Sequence, residues 1–402
     1  MARASDEGTS ALTRGGGAEP IRVAHVITMM ELGGAQDNTL HTVTHLDPAR
    51  YQTFLLAGPG GLLEAEARTA LGERYQTVPD LRRPIHPLRD LRAYRQLRRA
   101  LAAIRPQVVH THSSKAGLLG RLAAARERVP VIVHSIHGFG FHPDQPRLLR
   151  GALIAAERLA ARTATHYVAV SEANRRQGRR LGLFNGATAS VIRSGVLLDR
   201  FRHPPEGPAA RRALGLPAAA PVVGTVACFK PQKAPLDFVA TAARVAAAVP
   251  GVQFLVAGDG VLRPQVEAAI RRARVPGVRL LGWRRDVPRL LAAMDVFCLT
   301  SRWEGLPRAV IEARAAGVPV VATDVDGVRE AVREGVDGYL APPGHVGALA
   351  AKVVHLLTTP GLREKMGTDA RHGLAGWDIH DMVRQQAALY DRLLDPGAPS
   401  RP

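Results

Sequence analysis

The chain has 402 residues, more than one ordinary domain holds, so two domains are expected. Hydrophobic residues make up 46% and charged residues 22%, which excludes a disordered or fibrous chain and describes a globular one with a sizeable core. The 54 basic residues against 35 acidic ones leave a formal charge of +19, a field that attracts phosphorylated small molecules or an anionic membrane surface. Nucleic acid is not an expected partner, because the 4% of aromatic residues are not interleaved with the basic ones and no recognisable binding module is present.

Residues 1–20 mix charges, Gly and Ser without an apolar core, and read as a disordered leader, not a signal peptide. From residue 21 short β-branched runs alternate with longer amphipathic segments, the pattern of a parallel sheet wrapped by helices. Strands are expected over 21–27, 51–57, 108–111, 131–135, 166–170 and 189–193, with helices near 35–45, 88–104, 115–126 and 148–162. The first strand runs into Gly33 and Gly34, which open a helix and allow a phosphate or sugar close to the backbone. In the next helix Leu88, Leu91, Leu97, Leu101 and Ile104 form an apolar stripe, and Arg82, Arg83, Arg89, Arg92, Arg95, Arg98 and Arg99 form its basic back. That helix is either core-facing with a solvated back or a cationic face for anionic lipid.

His110-Thr111-His112-Ser113-Ser114-Lys115 spans a strand end and a helix start, and His110 and His112 share one face of the strand. No carboxylate or Cys completes a metal set at this spacing, so these imidazoles are expected to hydrogen-bond a polar ligand or pack at the strand tips. His137-Gly138-Phe139, with His142 close behind, ends another strand in the same way.

Residues 21–200 thus form one unit, and the Pro-, Ala- and Gly-rich stretch 201–221 reads as a hinge. A second series of strands follows at 222–227, 252–257, 278–281, 296–300 and 318–322 within a unit spanning 222–375, and 376–395 holds a last helix. Lys230 and Lys233 sit three positions apart beside the first turn of this unit, a compact cationic spot for a diphosphate. Gly258 follows the next strand in a tight turn. Cys228 and Cys298 lie in apolar runs without C-x-x-C spacing and read as free thiols of a reducing compartment. No apolar run approaches membrane-spanning length, so a cytoplasmic protein is expected.

The most informative segment is Ser301-Arg302-Trp303-Glu304-Gly305-Leu306-Pro307-Arg308-Ala309-Val310-Ile311-Glu312. Two carboxylates stand eight positions apart, one before a helix expected from Leu306 and one inside it. Their spacing of about 10 Å along the axis matches a sugar ring, a diphosphate and a ribose in line. Carboxylates accept from vicinal hydroxyls and the first helical turn suits a phosphate. Asp324-Val325-Asp326 imitates a metal-binding D-x-D but reads as a loop between strand and helix.

Together these motifs resemble the retaining GT-B glycosyltransferases of family 4, also called glycosyltransferase group 1, and especially the bacterial capsular and exopolysaccharide enzymes. The resemblance covers most of residues 21–395 and rests on Gly33–Gln36, His110–Ala124, His137–His142, Lys230–Lys233, Ser301–Ala313 and Ala322–Val332. It implies two Rossmann-like doubly wound domains facing across a cleft, the first binding acceptor and the second a nucleotide sugar, with the final helix crossing back. Glu304 with Gly305 and Leu306 would bind the donor sugar and diphosphate, Glu312 the ribose, and Lys233, helped by Lys230, the diphosphate. His137 would lie near the reacting carbon, Gly34 near the phosphates or acceptor, and Trp283 near the base, while His110, His112, Ser113, Lys115 and His142 are acceptor-side candidates. The resemblance further implies a hexose or N-acetylhexosamine passed from a UDP sugar to a glycan or lipid-linked acceptor, without metal or other cofactor, at the inner face of a membrane. An epimerase of the same architecture is disfavoured because the first strand runs into Thr28-Met29-Met30-Glu31 in place of a Gly-Thr-Arg-Pro-Glu segment. A non-catalytic sugar-nucleotide sensor is disfavoured because both Glu and both Lys are kept.

Overall fold

The computed structural model describes residues 19–142, 145–184, 188–203 and 205–395, so residues 1–18 of the expected leader lie outside the described residues. The first domain holds β1 (Ile21–Met29), β2 (Tyr51–Gly58), β3 (Tyr75–Thr77), β4 (Val108–His112), β5 (Val131–Ile136), β6 (His166–Ala169) and β7 (Ala189–Val191). They pair in the order β3-β2-β1-β4-β5-β6-β7. The second holds β8 (Val222–Val226), β9 (Gln253–Ala257), β10 (Val278–Gly282), β11 (Val296–Leu299), β12 (Val320–Thr323) and β13 (Gly338–Ala341), in the order β10-β9-β8-β11-β12-β13. All the ladders between these strands are parallel.

Both sheets follow one rule. The chain starts in the middle, runs out to one edge, and returns to the other side of its first strand. The strand order therefore reverses between β1 and β4 and again between β8 and β11, and ligands bind in the crevice outside the carboxyl ends of strands at such points. The loops leaving β1, β8 and β11 carry Gly33–Gly34, Lys230–Lys233 and Glu304–Leu306, which places these sequence motifs at the two crevices. Helices on both faces bury the strands, and β11 is enclosed along its whole length.

Two edge strands, β3 and β13, were not legible as strands: each is only three or four residues long and neither carries a β-branched run. The stretch read as a hinge contains the short helix Gly207–Ala213 and the end of another, Asp199–Arg202. Phe201, Ala210 and Leu216 are buried there among Leu290, Met294 and Phe297 of the second domain. The last helix, Ile379–Leu394, lies on the first sheet, burying Ile379, Met382, Val383, Leu389 and Tyr390 against Val23, Val108 and Val133.

The apolar stripe on the helix Pro87–Ile104 divides along its length. Leu97, Leu101 and Ile104 are buried with Ala93, whereas Leu88 and Leu91 are exposed.

Candidate active site

Two loops of the second domain are fastened together at the cleft. The Thr300 hydroxyl donates to the carbonyls of Lys233 (3.1 Å) and Ala234 (3.0 Å). The Arg302 amide donates to Gln232 O (2.8 Å), and Gln232 Nε2 returns a bond to Trp303 O (3.1 Å). This lacing delivers the Lys233 ammonium to Glu304 Oε1 at 2.5 Å, where the Ser301 hydroxyl also donates at 2.6 Å. Glu304 is only 4% exposed, and such a carboxylate is held in the interior only by charged and hydrogen-bonding partners. Its Oε1 is thus taken, and Oε2 remains for a ligand.

The Glu304 amide donates to Asp326 Oδ2 (3.0 Å), while Asp324 pairs with Arg329. Both acids of the D-x-D sequence are therefore engaged within the protein. Asp326 takes a left-handed φ of +35°, uncommon for a side-chain-bearing residue. Burial, reinforced by the Glu304 charge, raises its carboxyl above the usual range.

The following helix spans Arg308–Ala315, starting two residues later than expected, with Pro307 at its N-cap (φ −82°, ψ 88°). Glu312 projects from this helix toward the cleft, and burial raises its carboxyl, opposed by Arg308 and reinforced by Asp37. Across the gap Gly33 caps the helix Gly34–His45 in an extended conformation with no side-chain cap. The first-turn N–H groups there have no side-chain cap partner, which suits an anion.

Contacts between the domains define the far side of the cleft. Arg308 reaches Asp37 (2.7 Å) and Gly34 O (3.3 Å). Arg285 reaches Glu66 (3.2 Å), and Trp303 stacks on His142 with ring centroids 4.3 Å apart. Glu330 accepts from the Ala173 amide (3.0 Å) and lies 3.5 Å from Arg193.

The cleft between the domains measures about 540 Å³, within the range of small-molecule sites. Gly33, Gly34, His137, Lys233, Gly258, Trp283, Glu304, Gly305, Leu306 and Glu312 all line it. Lys230 does not: its ammonium lies 3.5 Å from Glu31 of the first domain. The five residues read as acceptor-side candidates also lie outside the lining. His110 and His112 are buried in a side-chain network, Ser113 bonds Thr28 (2.7 Å), Lys115 pairs with Asp90 (2.6 Å), and His142 stacks on Trp303. Of the two free thiols Cys298 is buried, its pKa pushed up to about 12, while Cys228 is half-buried in the cleft wall.

Arg308, Asp37 and Ser301 were missed at the sequence level. One signal was available for Arg308: a cation in the first turn of a helix opposes the dipole and calls for a compensating partner. His137 directly follows β5, and burial lowers its pKa to about 4, reinforced by Arg308, so its imidazole is neutral at pH 7.

Two doubly wound domains facing across a cleft give this protein the GT-B architecture. Residues 220–359 match the family model described as glycosyl transferases group 1, and residues 33–195 match a glycosyl transferase 4-like domain. The chain is 31% identical over 325 residues to the Escherichia coli UDP-Gal:alpha-D-GlcNAc-diphosphoundecaprenol alpha-1,3-galactosyltransferase, covering 80% of this chain and 84% of that one. It is 26% identical to the putative glycosyltransferase EpsD of Bacillus subtilis, over 79% of this chain and 85% of the other. Among solved structures, sucrose-phosphate synthase from Thermosynechococcus elongatus superposes with a TM-score of 0.80 at 19% identity, covering 94% of this chain and 100% of that one. Anabaena HepE in complex with UDP-glucose superposes with a TM-score of 0.78 at 21% identity, over 92% and 99% of the two chains. The chain belongs to the group 1 glycosyltransferases. It is a glycosyltransferase of GT-B fold.

Proposed function

We propose that the enzyme moves a hexose or N-acetylhexosamine from a UDP sugar to a lipid-linked or glycan acceptor, with retention at the anomeric carbon and without a metal ion. The observation that carries this reading is the buried Glu304, fixed by Lys233 at 2.5 Å in the same cleft as Glu312 and the start of the helix Arg308–Ala315. Glu304 Oε2 and the amides of Gly305 and Leu306 are the groups available to sugar hydroxyls and diphosphate. Glu312 is the acceptor for the ribose diol, and the half-exposed Trp283 at the cleft edge suits the flat face of a base. Lys233 and the helix start offset the charge that develops on the departing diphosphate, the task a divalent ion performs in other transferases.

In this reading the departing phosphate oxygen takes the acceptor proton on the same face, as the resemblance to the retaining GT-B enzymes implies, and the product keeps the anomeric configuration of the donor. The relative that transfers galactose onto a diphosphoundecaprenol-linked GlcNAc supports an acceptor of the lipid-linked kind. The test offers purified enzyme a panel of UDP sugars with a prenyl-diphosphate-linked sugar, in chelator, and measures UDP release and the anomeric configuration of the product. Failure to release UDP from any of them, activity abolished by chelator, or an inverted product each sinks the corresponding part.

A location at the inner face of a membrane is part of the same proposal. No described helix is long and apolar enough to cross a membrane. Ile85 (69% exposed), Leu88 (66%) and Leu91 (45%) instead stand at the surface among Arg82, Arg83, Arg89, Arg92 and Arg95. Apolar side chains ringed by cations suit an anionic bilayer interface. Replacing all three with Gln is expected to release the protein from phosphatidylglycerol vesicles in flotation while sparing turnover of a water-soluble acceptor. Undiminished flotation removes the membrane from the account.

A further inference from the structure

A row of hydrogen-bonded side chains runs from the cleft through the first domain to the last helix. His137 Nε2 lies 3.1 Å from His112 Nδ1, and His112 Nε2 lies 3.0 Å from His25 Nδ1. His25 Nε2 is 3.5 Å from the Tyr390 hydroxyl. That hydroxyl is 2.6 Å from His110 Nδ1, and His110 Nε2 is 2.7 Å from Ser135 Oγ. His25, His110 and Tyr390 are wholly enclosed, and His112 is 2% exposed.

Imidazoles in a sheet core stand where aliphatic residues otherwise pack, and they are tolerated only when every nitrogen is satisfied. The ligating nitrogens of His25, His110 and His112 fall within 4.8 Å of one another, as a metal site requires. Both His110 nitrogens are already engaged, however, and the His25–His112 separation is the length of a hydrogen bond. The cluster is therefore read as a hydrogen-bonded row.

Burial keeps all four imidazoles neutral, with His25 lowered to about 3 and His110 and His112 well below their ordinary value. A neutral imidazole has one N–H and one bare nitrogen, so the direction of one bond in the row fixes the next. A 2.6 Å separation suits the Tyr390 O–H donating to a bare His110 nitrogen; its other acceptor, Gln386 Oε1, is farther at 3.4 Å. The Tyr390 oxygen then accepts from His25 Nε2–H, His25 Nδ1 from His112 Nε2–H, and His112 Nδ1 from His137 Nε2–H. His137 Nδ1 is left bare, and among the described residues it is a buried nitrogen without a partner, on a residue that lines the cleft. Leaving it so is unfavourable unless a ligand supplies a donor.

We propose that Tyr390, His25 and His112 are positioning residues that hold His137 in the Nε2-protonated tautomer, so that Nδ1 accepts a hydrogen bond from a hydroxyl of the bound donor or acceptor sugar. This rests on the reading of the cleft as a sugar-transfer site. It also gives the last helix a function beyond packing, since that helix supplies the residue that sets the direction of the row.

Full-length enzyme labelled with [15N]histidine tests it, the His137 signals being assigned by their loss in His137→Gln. The wild type is expected to show a protonated Nε2 and a bare Nδ1, without averaging. Tyr390→Phe keeps the ring and removes the hydroxyl. In that variant the His137 signals are expected to average between tautomers and kcat to fall about tenfold with donor KM unchanged, while the melting temperature falls because buried His110 Nδ1 loses its partner. The proposal is overturned by an Nδ1-protonated His137 in the wild type. It is equally overturned by unchanged shifts in Tyr390→Phe, by altered tautomers with undiminished kcat, or by a kcat loss that accompanies a lowered melting temperature and an intact tautomer. The spectra need no substrate, so they report on the row even where the assignment of sugar transfer fails.

Discussion

Arg308 and Asp37 meet across the cleft at 2.7 Å, although Arg308 stands in the first turn of its helix, where the dipole disfavours a cation. Asp37 is in the first turn of the facing helix, where an acid is favoured. The two helix starts therefore point toward one ligand space, bridged by a side chain from each. Arg308 also lies 3.9 Å from Glu312, the residue assigned to the ribose. Because Asp37 is half-exposed, the pair contributes only about 1 kcal/mol. Asp37→Asn is accordingly expected to lower kcat/KM for the donor by about fivefold, an effect that shrinks in high salt. Arg308→Ala removes a cation from beside the diphosphate space as well, and a loss of about a hundredfold is expected. Steady-state kinetics at two ionic strengths check both, and equal effects from the two variants would argue against the second role.

Lys233 and Glu304 are not interchangeable with neutral residues. Lys233→Ala leaves a 4% exposed carboxylate with Ser301 as its remaining side-chain donor. UDP release is expected to fall by at least about a hundredfold, accompanied by a lower melting temperature. Glu304→Gln keeps the volume and an acceptor for Lys233 and Ser301, so the melting temperature is expected to hold while transfer is lost. Wild-type turnover in Glu304→Gln would remove it from the sugar-binding role.

The inner strands and the cleft loops were readable because most strands of the parallel sheets are short apolar runs, and because Gly33–Gly34, Lys233 and Glu304–Leu306 each follow one. What escaped the sequence depends on pairing across the gap between domains. Lys230 looks like a second diphosphate ligand beside Lys233, yet its partner, Glu31, comes from the other domain. The period-two spacing of His110 and His112 correctly puts both on one face, but spacing carries no information on whether that face meets solvent, ligand or other side chains. Here it meets His25 and Tyr390, residues distant in sequence from His110. The apolar stripe from Leu88 to Ile104 likewise gives the helix and its inward face, and only the fold shows where along the helix the core stops.

Gly305 is required by a close approach and not by its backbone angle. A Cβ there would sit 1.9 Å from the carbonyl oxygen of His137 and 3.2 Å from the Gly138 amide nitrogen, both backbone atoms of the facing domain. Gly305→Ala therefore has to push the domains apart at the residues assigned to the sugar. Each domain core is untouched, so the variant is expected to fold and to scatter as a slightly expanded particle. A displacement of about 1 Å between reacting groups lowers turnover by about a hundredfold. Wild-type kcat in Gly305→Ala would mean that this approach is not needed during transfer.

Acid should unfold this protein through its histidines. His25 is lowered to about 3, His41, His137 and His166 to about 4, and His110, His112 and His134 well below 6.5, in each case mainly by burial. Nearby cations add to this: Arg308 beside His41 and His137, Arg121 beside His134, and Arg392 beside His166. In the unfolded chain these groups regain a pKa near 6.5 and bind protons that the fold refuses. Stability is thus fully present above about pH 7.5 and falls as the pH drops through 6.5 toward the folded values, by up to about 1.4 kcal/mol per pH unit for each group. Glu312, Asp326 and Asp237, raised by burial, act in the opposite sense, but they are three against seven imidazoles. Urea unfolding followed at pH 8.5, 7.5 and 5.5 is expected to show a level midpoint between the first two. A steep fall should follow, with a slope of at least about three protons taken up. Stability that stays level down to pH 5 would mean that these imidazoles are charged in the fold, and the tautomer row built on their neutrality would go with them.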